Sequence, residues 1–287
     1  MNKKGSSKKI RLLKKASVYI LLIICSLIVL FPFYIMLITS FKTVAESSTV
    51  PITYWPENGF HLDGYLKILT LDSYGISFGR SFLNTLLYVI PPTVCGTFAA
   101  AMCGYAHAMV KFPGKKFLFS ILLFSMMIPG TITMIPNFLV FETLGWVNTP
   151  LPLIVPGLFG SAGTVFFMRQ YYKGLPYELV EAAKMDGLGH FAIFWKIMVP
   201  LSKPALVSFG LLGFIGGYND YFSPMLYLYD AKKYTMQIAL KFTNTTLASD
   251  NQMVMAACVL TMLPVLILYF FAQEQFTRGI AMSGLKA

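Results

Sequence analysis

Charged residues are scarce in this sequence. Asp, Glu, Lys and Arg together make up 12% of its 287 residues, whereas soluble domains average about 25%. Such a small share cannot cover the surface of a globular protein in water, and 56% of the chain belongs to the apolar set AVILMFWYC. The composition therefore excludes an ordinary soluble protein and indicates one for which lipid is the solvent.

The motifs of catalysis and of cofactor binding are also missing. The sequence has no GxxxxGK[ST] phosphate loop, no HExxH and no CxxC pair. Its four cysteines lie in apolar stretches and its three histidines are far apart, a pattern typical of packing rather than of disulfides or zinc. We therefore expect no catalytic site, no metal and no bound cofactor in this chain.

Long apolar runs are what the sequence has instead. A spanning helix needs about 20 mostly apolar residues, and Asp220 is the only charged residue in the six windows that qualify. These windows are 16–41, 81–110, 117–141, 143–168, 205–229 and 251–273. The runs are continuous rather than alternating, which argues against a membrane β-barrel. We predict an all-α membrane protein with six transmembrane helices.

The basic residues predict the orientation of these helices. On this layout 17 of the 23 Lys and Arg residues fall on the side of both termini, and cytoplasmic loops carry such an excess. The prediction is a cytoplasmic tail at 1–15, an extracytoplasmic loop at 42–80, a core at 81–273 and a cytoplasmic tail at 274–287. The net charge of +11 is thus a topology signal that favours anionic lipid, not nucleic acid, as a partner.

One inner connection, at 176–204, has helix signals of its own. Pro176 and two acids, Glu178 and Glu181, suit the start of a helix, and Gly187 suits its end. A second helix is expected from about 190 to 199, before Pro200. Its apolar stripe would fit a groove on a partner or rest against lipid headgroups. The stripe consists of Phe191, Phe194, Trp195 and Met198.

The residue pattern of this connection resembles the EAA loop of ATP-binding-cassette (ABC) importer permeases. The family pattern is EAA, three residues, Gly, nine residues, Ile, any residue, Leu, Pro; here EAAKMDG at 181–187 is followed by IMVP at 197–200, with Val199 in place of leucine. The resemblance implies a type I importer permease (MetI-like) bundle whose loop docks on an ATPase subunit. The coupling residues it implies are Glu181, Ala182, Ala183, Asp186, Gly187, Phe191, Phe194, Ile197 and Pro200.

Most of the chain is similar to the maltose-type carbohydrate permeases, through the six spans, GYNDYFSP at 217–224 and the tail at 276–287. That similarity implies a multi-pass protein of a prokaryotic cell membrane that imports a carbohydrate, in particular an oligosaccharide. It also implies the partners: a second homologous permease, two copies of an ATPase that uses ATP and Mg, and an extracytoplasmic solute-binding protein. In that family the tail reaches the ATPase.

Polar residues within spans are expensive and are therefore candidates for the transport path. Asp220 is the strongest, because its span holds no other charge. The full set of candidates is Tyr218, Asn219, Asp220, Tyr221, Asn84 and Asn137. A purely structural hydrogen bond between helices is the competing interpretation.

Other functions remain open at this level. An ABC permease for a non-sugar solute would share the same loop. A secondary transporter would need ion-coupling acids in its spans and an internal repeat, but the sequence has only Asp220 in its spans and shows no repeat. An intramembrane enzyme would need a catalytic constellation, which the sequence also lacks.

Overall fold

Helices make up the described part of the chain, apart from one short β-hairpin and the connecting turns. The computed structural model describes residues 3–70, 72–73, 75–246 and 250–284, and the side chains of 14–70, 75–245 and 250–274. The proposed ATPase contact of the tail at 276–287 therefore lies outside the described side chains.

The elements follow one another in this order: α1 Lys3–Ser40, α2 Val44–Ser47, α3 Asp63–Thr70, β1 Asp72–Ser73, β2 Ile76–Ser77, α4 Phe78–Met109, α5 Lys115–Met126, α6 Gly130–Thr143, α7 Leu151–Ile154, a 3-10 turn Pro156–Phe159, α8 Ala162–Lys173, α9 Glu178–Met185, α10 His190–Ile193, a π turn Phe194–Met198, α11 Val199–Leu201, α12 Lys203–Tyr218, α13 Phe222–Tyr227, a 3-10 turn Ala231–Lys233, α14 Met236–Thr246 and α15 Asn251–Gly284. The strands pair antiparallel, with Asp72 opposite Ser77.

The chain divides into two compact units. The first comprises Met1–Thr70 and Phe242–Leu260, and the second comprises Leu71–Lys241 and Thr261–Ala287. In the first unit, α1 carries an apolar stretch, Lys14–Ser40, whose most apolar window is fully exposed. Such a surface is stable only when lipid or another apolar helix covers it.

A folded loop follows α1. Lys42 and Glu46 are buried in it, and the Lys42 ammonium donates to the carbonyl of Thr53. Burial raises the pKa of the Glu46 carboxyl, but hydrogen bonds from the Glu57 N–H, the Thr53 hydroxyl and the Asn58 backbone and amide outweigh burial and hold that pKa below its ordinary value. The loop is therefore held by its own network of buried polar groups.

Helices α4, α8 and α12 form the centre of the second unit. Small residues allow α4 to approach its neighbours closely. A Cβ atom at Gly96 would overlap the carbonyl oxygen of Gly157, and one at Gly160 would lie 2.6 Å from the carbonyl oxygen of Gly96. These positions accept only glycine without a shift of the backbone.

The structure confirms the prediction of an all-α membrane protein and corrects several helix bounds. In the described residues, four segments are long and apolar enough to span a membrane: Lys14–Ser40, Phe78–Met109, Leu151–Lys173 and Asn251–Glu274. Two bent pairs bring the number to six if each pair is one span. They are Lys115–Met126 with Gly130–Thr143, at 99°, and His190–Leu201 with Lys203–Tyr218, at 80°.

Three predicted spans have wrong bounds, and each has a local cause. The span expected at 117–141 breaks before Pro129, which lacks an N–H and has an extended backbone (ψ 133°). The span expected at 143–168 begins only at Leu151, because Gly145 and Asn148 form a turn with positive φ values of 68° and 57°. The span expected at 205–229 ends at Tyr218.

Candidate functional site

Helix α9 of the inner loop is fixed to the second unit by one face. Val180 and Ala183, three residues apart and therefore on the same side of the helix, are 0% and 3% exposed. They belong to a core that also contains Tyr105 of α4 and Tyr172 of α8. The inner loop is thus packed directly against α4 and α8 of the second unit.

Gly187 ends α9 as the sequence predicts. Its φ of 81° lies in the left-handed region, the Leu188 N–H donates to the Ala183 carbonyl (3.0 Å), and the Gly187 N–H donates to the Lys184 carbonyl (2.9 Å). This pair of bonds is a Schellman motif, in which glycine avoids the strain that a Cβ atom would bring. The turn directs the chain into α10.

The second half of the loop departs from the predicted helix. It begins at His190 but continues through Pro200 to Leu201, and Phe194–Met198 forms a π turn. A π turn holds an extra residue, so it alters the expected i, i+3, i+4 spacing. The predicted stripe is therefore divided: Phe194 and Met198 are buried, whereas Phe191 and Trp195 are 69% and 44% exposed.

Hydrogen bonds from α4 and α8 hold this second half in place. The Tyr172 hydroxyl bonds to the Ser202 hydroxyl (3.0 Å), and the Tyr171 hydroxyl donates to the Leu201 carbonyl (2.9 Å). The Tyr105 hydroxyl lies 3.1 Å from Nδ1 of His190. Because all three tyrosines lie on long helices, a movement of α4 or α8 would carry the loop with it.

The opposite face of the loop is exposed. Of the predicted coupling residues, Glu181, Ala182, Asp186, Gly187, Phe191 and Pro200 are exposed, Ile197 is half-buried, and Ala183 and Phe194 are buried. Met185, which the prediction omitted, is 89% exposed. Exposed apolar side chains next to acids are typical of a protein-binding surface. We call Glu181, Ala182, Met185 and Phe191 the loop face.

A cavity of about 470 Å³ lies in the second unit, within the range of small-molecule sites, about 300–1,000 Å³. Six hydroxyl-bearing residues and one carboxylate residue give it polar character. The described lining residues are Tyr88, Val89, Pro92, Thr93, Gly96, Thr97, Leu153, Pro156, Gly157, Gly160, Ser161, Thr164, Phe209, Gly213, Gly217, Asp220, Pro224 and Thr235.

Asp220 is the predicted path residue found in this lining. One carboxylate oxygen, Oδ1, accepts from the backbone N–H groups of Phe222 (3.0 Å) and Ser223 (3.1 Å). Those bonds satisfy the first two N–H groups of α13, which is a separate helix that begins after the end of α12 at Tyr218. Asp220 therefore fits both interpretations, the structural hydrogen bond and the transport path. One of its oxygens accepts structural hydrogen bonds, and the residue also borders the cavity.

The other predicted path residues do not appear in the described lining. Tyr218 is 1% exposed, and its hydroxyl donates to the Thr261 carbonyl (2.9 Å). Asn84 donates to the carbonyls of Lys232 and Tyr234. The remaining three have these positions: Asn219 is exposed and bonds to Ile215 and Gln237, Tyr221 bonds to the Met225 sulfur, and Asn137 is exposed on α6.

The sequence-based prediction missed all six hydroxyl residues of the cavity. Thr93 and Thr97 are four residues apart on α4 and therefore share a face, and Ser161 and Thr164 stand at the start of α8, where Ser161 accepts from the Thr164 N–H (3.1 Å). The i, i+4 spacing of two threonines in an apolar span was the available signal. Asp220 was predicted because it is the only charged residue in its span, whereas the hydroxyl residues carry no charge.

Comparison with known families decides what this arrangement is. Residues 93–282 match the family model described as a binding-protein-dependent transport system inner membrane component. The chain belongs to this family. The match includes the whole inner loop and most of the cavity, so the resemblance to ABC importer permeases is confirmed, as is a membrane transport function.

Relatives within and around this family are similar over nearly their whole length. The arabinooligosaccharides transport system permease protein AraQ of Bacillus subtilis (strain 168) is 32% identical, over 91% of this chain and 92% of the relative. The sn-glycerol-3-phosphate transport system permease protein UgpE of Yersinia pestis is 30% identical over 91% and 94%. The diacetylchitobiose uptake system permease protein NgcG of Streptomyces coelicolor is 27% identical over 91% and 85%.

A solved structure has the same fold. A chain of a bacterial ABC transporter involved in the import of the acidic polysaccharide alginate has a TM-score of 0.81 and 26% identity, covering 94% of this chain and 98% of that one. The substrates named for these relatives range from neutral sugars to anions. Family membership therefore identifies the transport function, whereas the substrate class has to be inferred from the residues that line the cavity.

Proposed function

We propose that this chain is the permease subunit of an ATP-driven importer for a neutral oligosaccharide. Two relatives are named for uptake of a neutral sugar oligomer, and the cavity offers hydroxyl groups, which pair with sugar hydroxyls. None of its described lining residues is a Lys, Arg or His, and Asp220 is an acid. A lining without basic side chains offers no opposite charge to a phosphorylated solute such as the one named for UgpE.

The attachment of the inner loop carries the proposal. Val180 and Ala183 bury one side of α9 against residues of α4 and α8, while the loop face remains exposed. An ATPase subunit that binds the loop face would therefore move α4 and α8 when the two ATPase subunits close on each other. Coupling by this route requires no nucleotide site in the permease.

The partners follow from this mechanism. The proposed complex contains a second homologous permease, two ATPase subunits that use ATP and Mg, and an extracytoplasmic solute-binding protein; the chain itself holds no cofactor and catalyses no reaction. Both termini and the loop would be cytoplasmic in a prokaryotic cell membrane. The location of 17 of the 23 Lys and Arg residues on that side supports this orientation.

The test is a change on the loop face in the assembled transporter. Met185→Glu places a charge where an apolar contact is expected, and we expect loss of ATPase co-purification and of ATP hydrolysis stimulated by the binding protein. Glu57→Gln, at an exposed residue of the loop after α1, is the matched control and should leave both intact. Full ATPase association in Met185→Glu would contradict the proposed coupling surface.

Substrate class needs a separate measurement. Uptake and stimulated ATP hydrolysis are measured across neutral oligosaccharides, an acidic oligosaccharide and sn-glycerol 3-phosphate, each supplied with the cognate binding protein. We expect stimulation by neutral oligosaccharides. Stimulation by the anions alone would refute the substrate class and leave the coupling mechanism untouched.

A further inference from the structure

The loop that follows α1 exposes apolar side chains and buries charged ones. Within residues 49–56, which we call the return segment, Val50 is 90% exposed and Ile52 is 57% exposed. Lys42 and Glu46, against which the segment folds, are 1% and 6% exposed. Water favours the opposite arrangement, because it solvates charges and penalises apolar surface. The surroundings of the return segment are therefore unlike water.

Polar groups of Thr53 and Tyr54 in the return segment have partners within the first unit. The Thr53 hydroxyl donates to the Glu46 carboxylate (3.1 Å), and the Thr53 carbonyl accepts from Lys42. The carbonyl of Tyr54 accepts from the Tyr34 hydroxyl of α1 (2.7 Å). These bonds allow Thr53 and Tyr54 to lie close to lipid, whereas irregular backbone without such partners must stay at the hydrated headgroup level.

The same contacts fix the depth of the return segment along α1. Tyr34 and Phe31, whose ring lies 6.3 Å from that of Tyr54, precede the end of α1 at Ser40 by about 9 and 14 Å at 1.5 Å per residue. Counted from Lys15, a hydrocarbon core of about 30 Å reaches roughly residue 35. Tyr54 therefore lies level with the edge of the hydrocarbon, not beyond the end of the helix.

We propose that the return segment is a membrane-inserted loop, whose Val50, Ile52 and Trp55 side chains contact the lipid around the C-terminal end of α1. Because Tyr54 contacts Tyr34 and Phe31 of α1, the apolar side chains of the segment stand beside the exposed apolar surface of α1. Tyr54 and Trp55, 62% and 59% exposed, lie at the headgroup level, where such side chains are enriched. The loop anchors α1 at a fixed depth.

The test measures depth at single positions in the assembled transporter. A keto amino acid is incorporated at position 52, coupled to a nitroxide, and examined in vesicles of phosphatidylethanolamine and phosphatidylglycerol. The accessibility ratio of the nitroxide to oxygen and to a water-soluble nickel chelate reports its depth. Position 27, exposed on α1, and position 57, at the exposed Glu57, are the lipid and water controls.

The expected ratio at position 52 lies between those of the controls and several-fold above that at position 57. Position 50, at the most exposed side chain of the segment, should give the same result and replaces position 52 if that variant does not assemble. A ratio equal to that at position 57 would overturn the proposal. Protection from both reagents only after addition of the solute-binding protein would also overturn it, in favour of a protein-docking surface.

Discussion

Replacing Gly104 by alanine is expected to force α4 and α8 apart. A Cβ atom at this position would lie 2.8 Å from the backbone nitrogen of Arg169 and from Cβ of Met168. Ordinary contacts between such atoms are about 3.5–4.0 Å, so the helices must separate by roughly 0.7 Å. Side-chain rotation cannot relieve a clash with backbone, and overpacking of this kind costs about 1–3 kcal/mol.

The measurement is the thermal stability of the detergent-solubilised transporter. A loss of this size lowers the midpoint by roughly 5 °C, at about 2–4 °C per kcal/mol for a domain of this length. Uptake per ATP hydrolysed should fall as well, because the buried core beneath the inner loop contains side chains from both α4 and α8. A separation of these helices would therefore loosen the attachment of the loop.

The matched control is Gly216→Ala in α12. A Cβ atom there meets nothing within 4 Å, and alanine favours a helix by about 1 kcal/mol over glycine, so no loss of stability is expected. If Gly104→Ala has the same melting temperature as this control and an unchanged uptake per ATP hydrolysed, the close approach of α4 and α8 does not support the loop as we argue.

Three further outcomes are expected. Because the folded pKa of Glu46 lies below its ordinary value of 4.5, this carboxylate stabilises the loop above that pH and the contribution is lost as pH falls through the folded pKa; the melting temperature of the detergent-solubilised transporter should fall below about pH 4.5, and Glu46→Gln should weaken this pH dependence. Asn84→Asp removes two donated hydrogen bonds and should cost about 1–3 kcal/mol; an unchanged melting temperature would show that these bonds contribute nothing. Asp220→Asn keeps the oxygen that caps α13 and should preserve stability while lowering sugar uptake, whereas Asp220→Ala should also lose about 1 kcal/mol; normal uptake with unchanged affinity in both variants would refute a role in the cavity.

Local signals in the sequence predict the inner loop well up to Gly187. Acids at the start of α9 and a glycine after it act within one or two turns, and the Schellman bonds form between neighbours in the chain. The division of the apolar stripe was beyond prediction, because a π turn at Phe194–Met198 has no marker in residue spacing. Packing of Phe194 and Met198 against distant helices selects it.

The transport path shows the same limit. Composition identifies the apolar windows, but their ends depend on backbone groups, such as the N–H groups that Asp220 caps. Tyr218 and Asp220 are two residues apart and have different surroundings, since one hydroxyl reaches Thr261 of α15 and the other side chain borders the cavity. Only the three-dimensional packing separates these roles.

The buried side of α9 also limits how far the loop can be treated as a module. The residues of the proposed docking surface lie in one short stretch of sequence, but the core beneath Val180 and Ala183 includes Tyr105 and Tyr172, which lie outside that stretch. Grafting residues 176–204 alone into another permease would transfer the proposed docking surface without the side chains of α4 and α8 on which it packs. A working chimera between transporters would need to exchange the matching faces of α4 and α8 together with the loop.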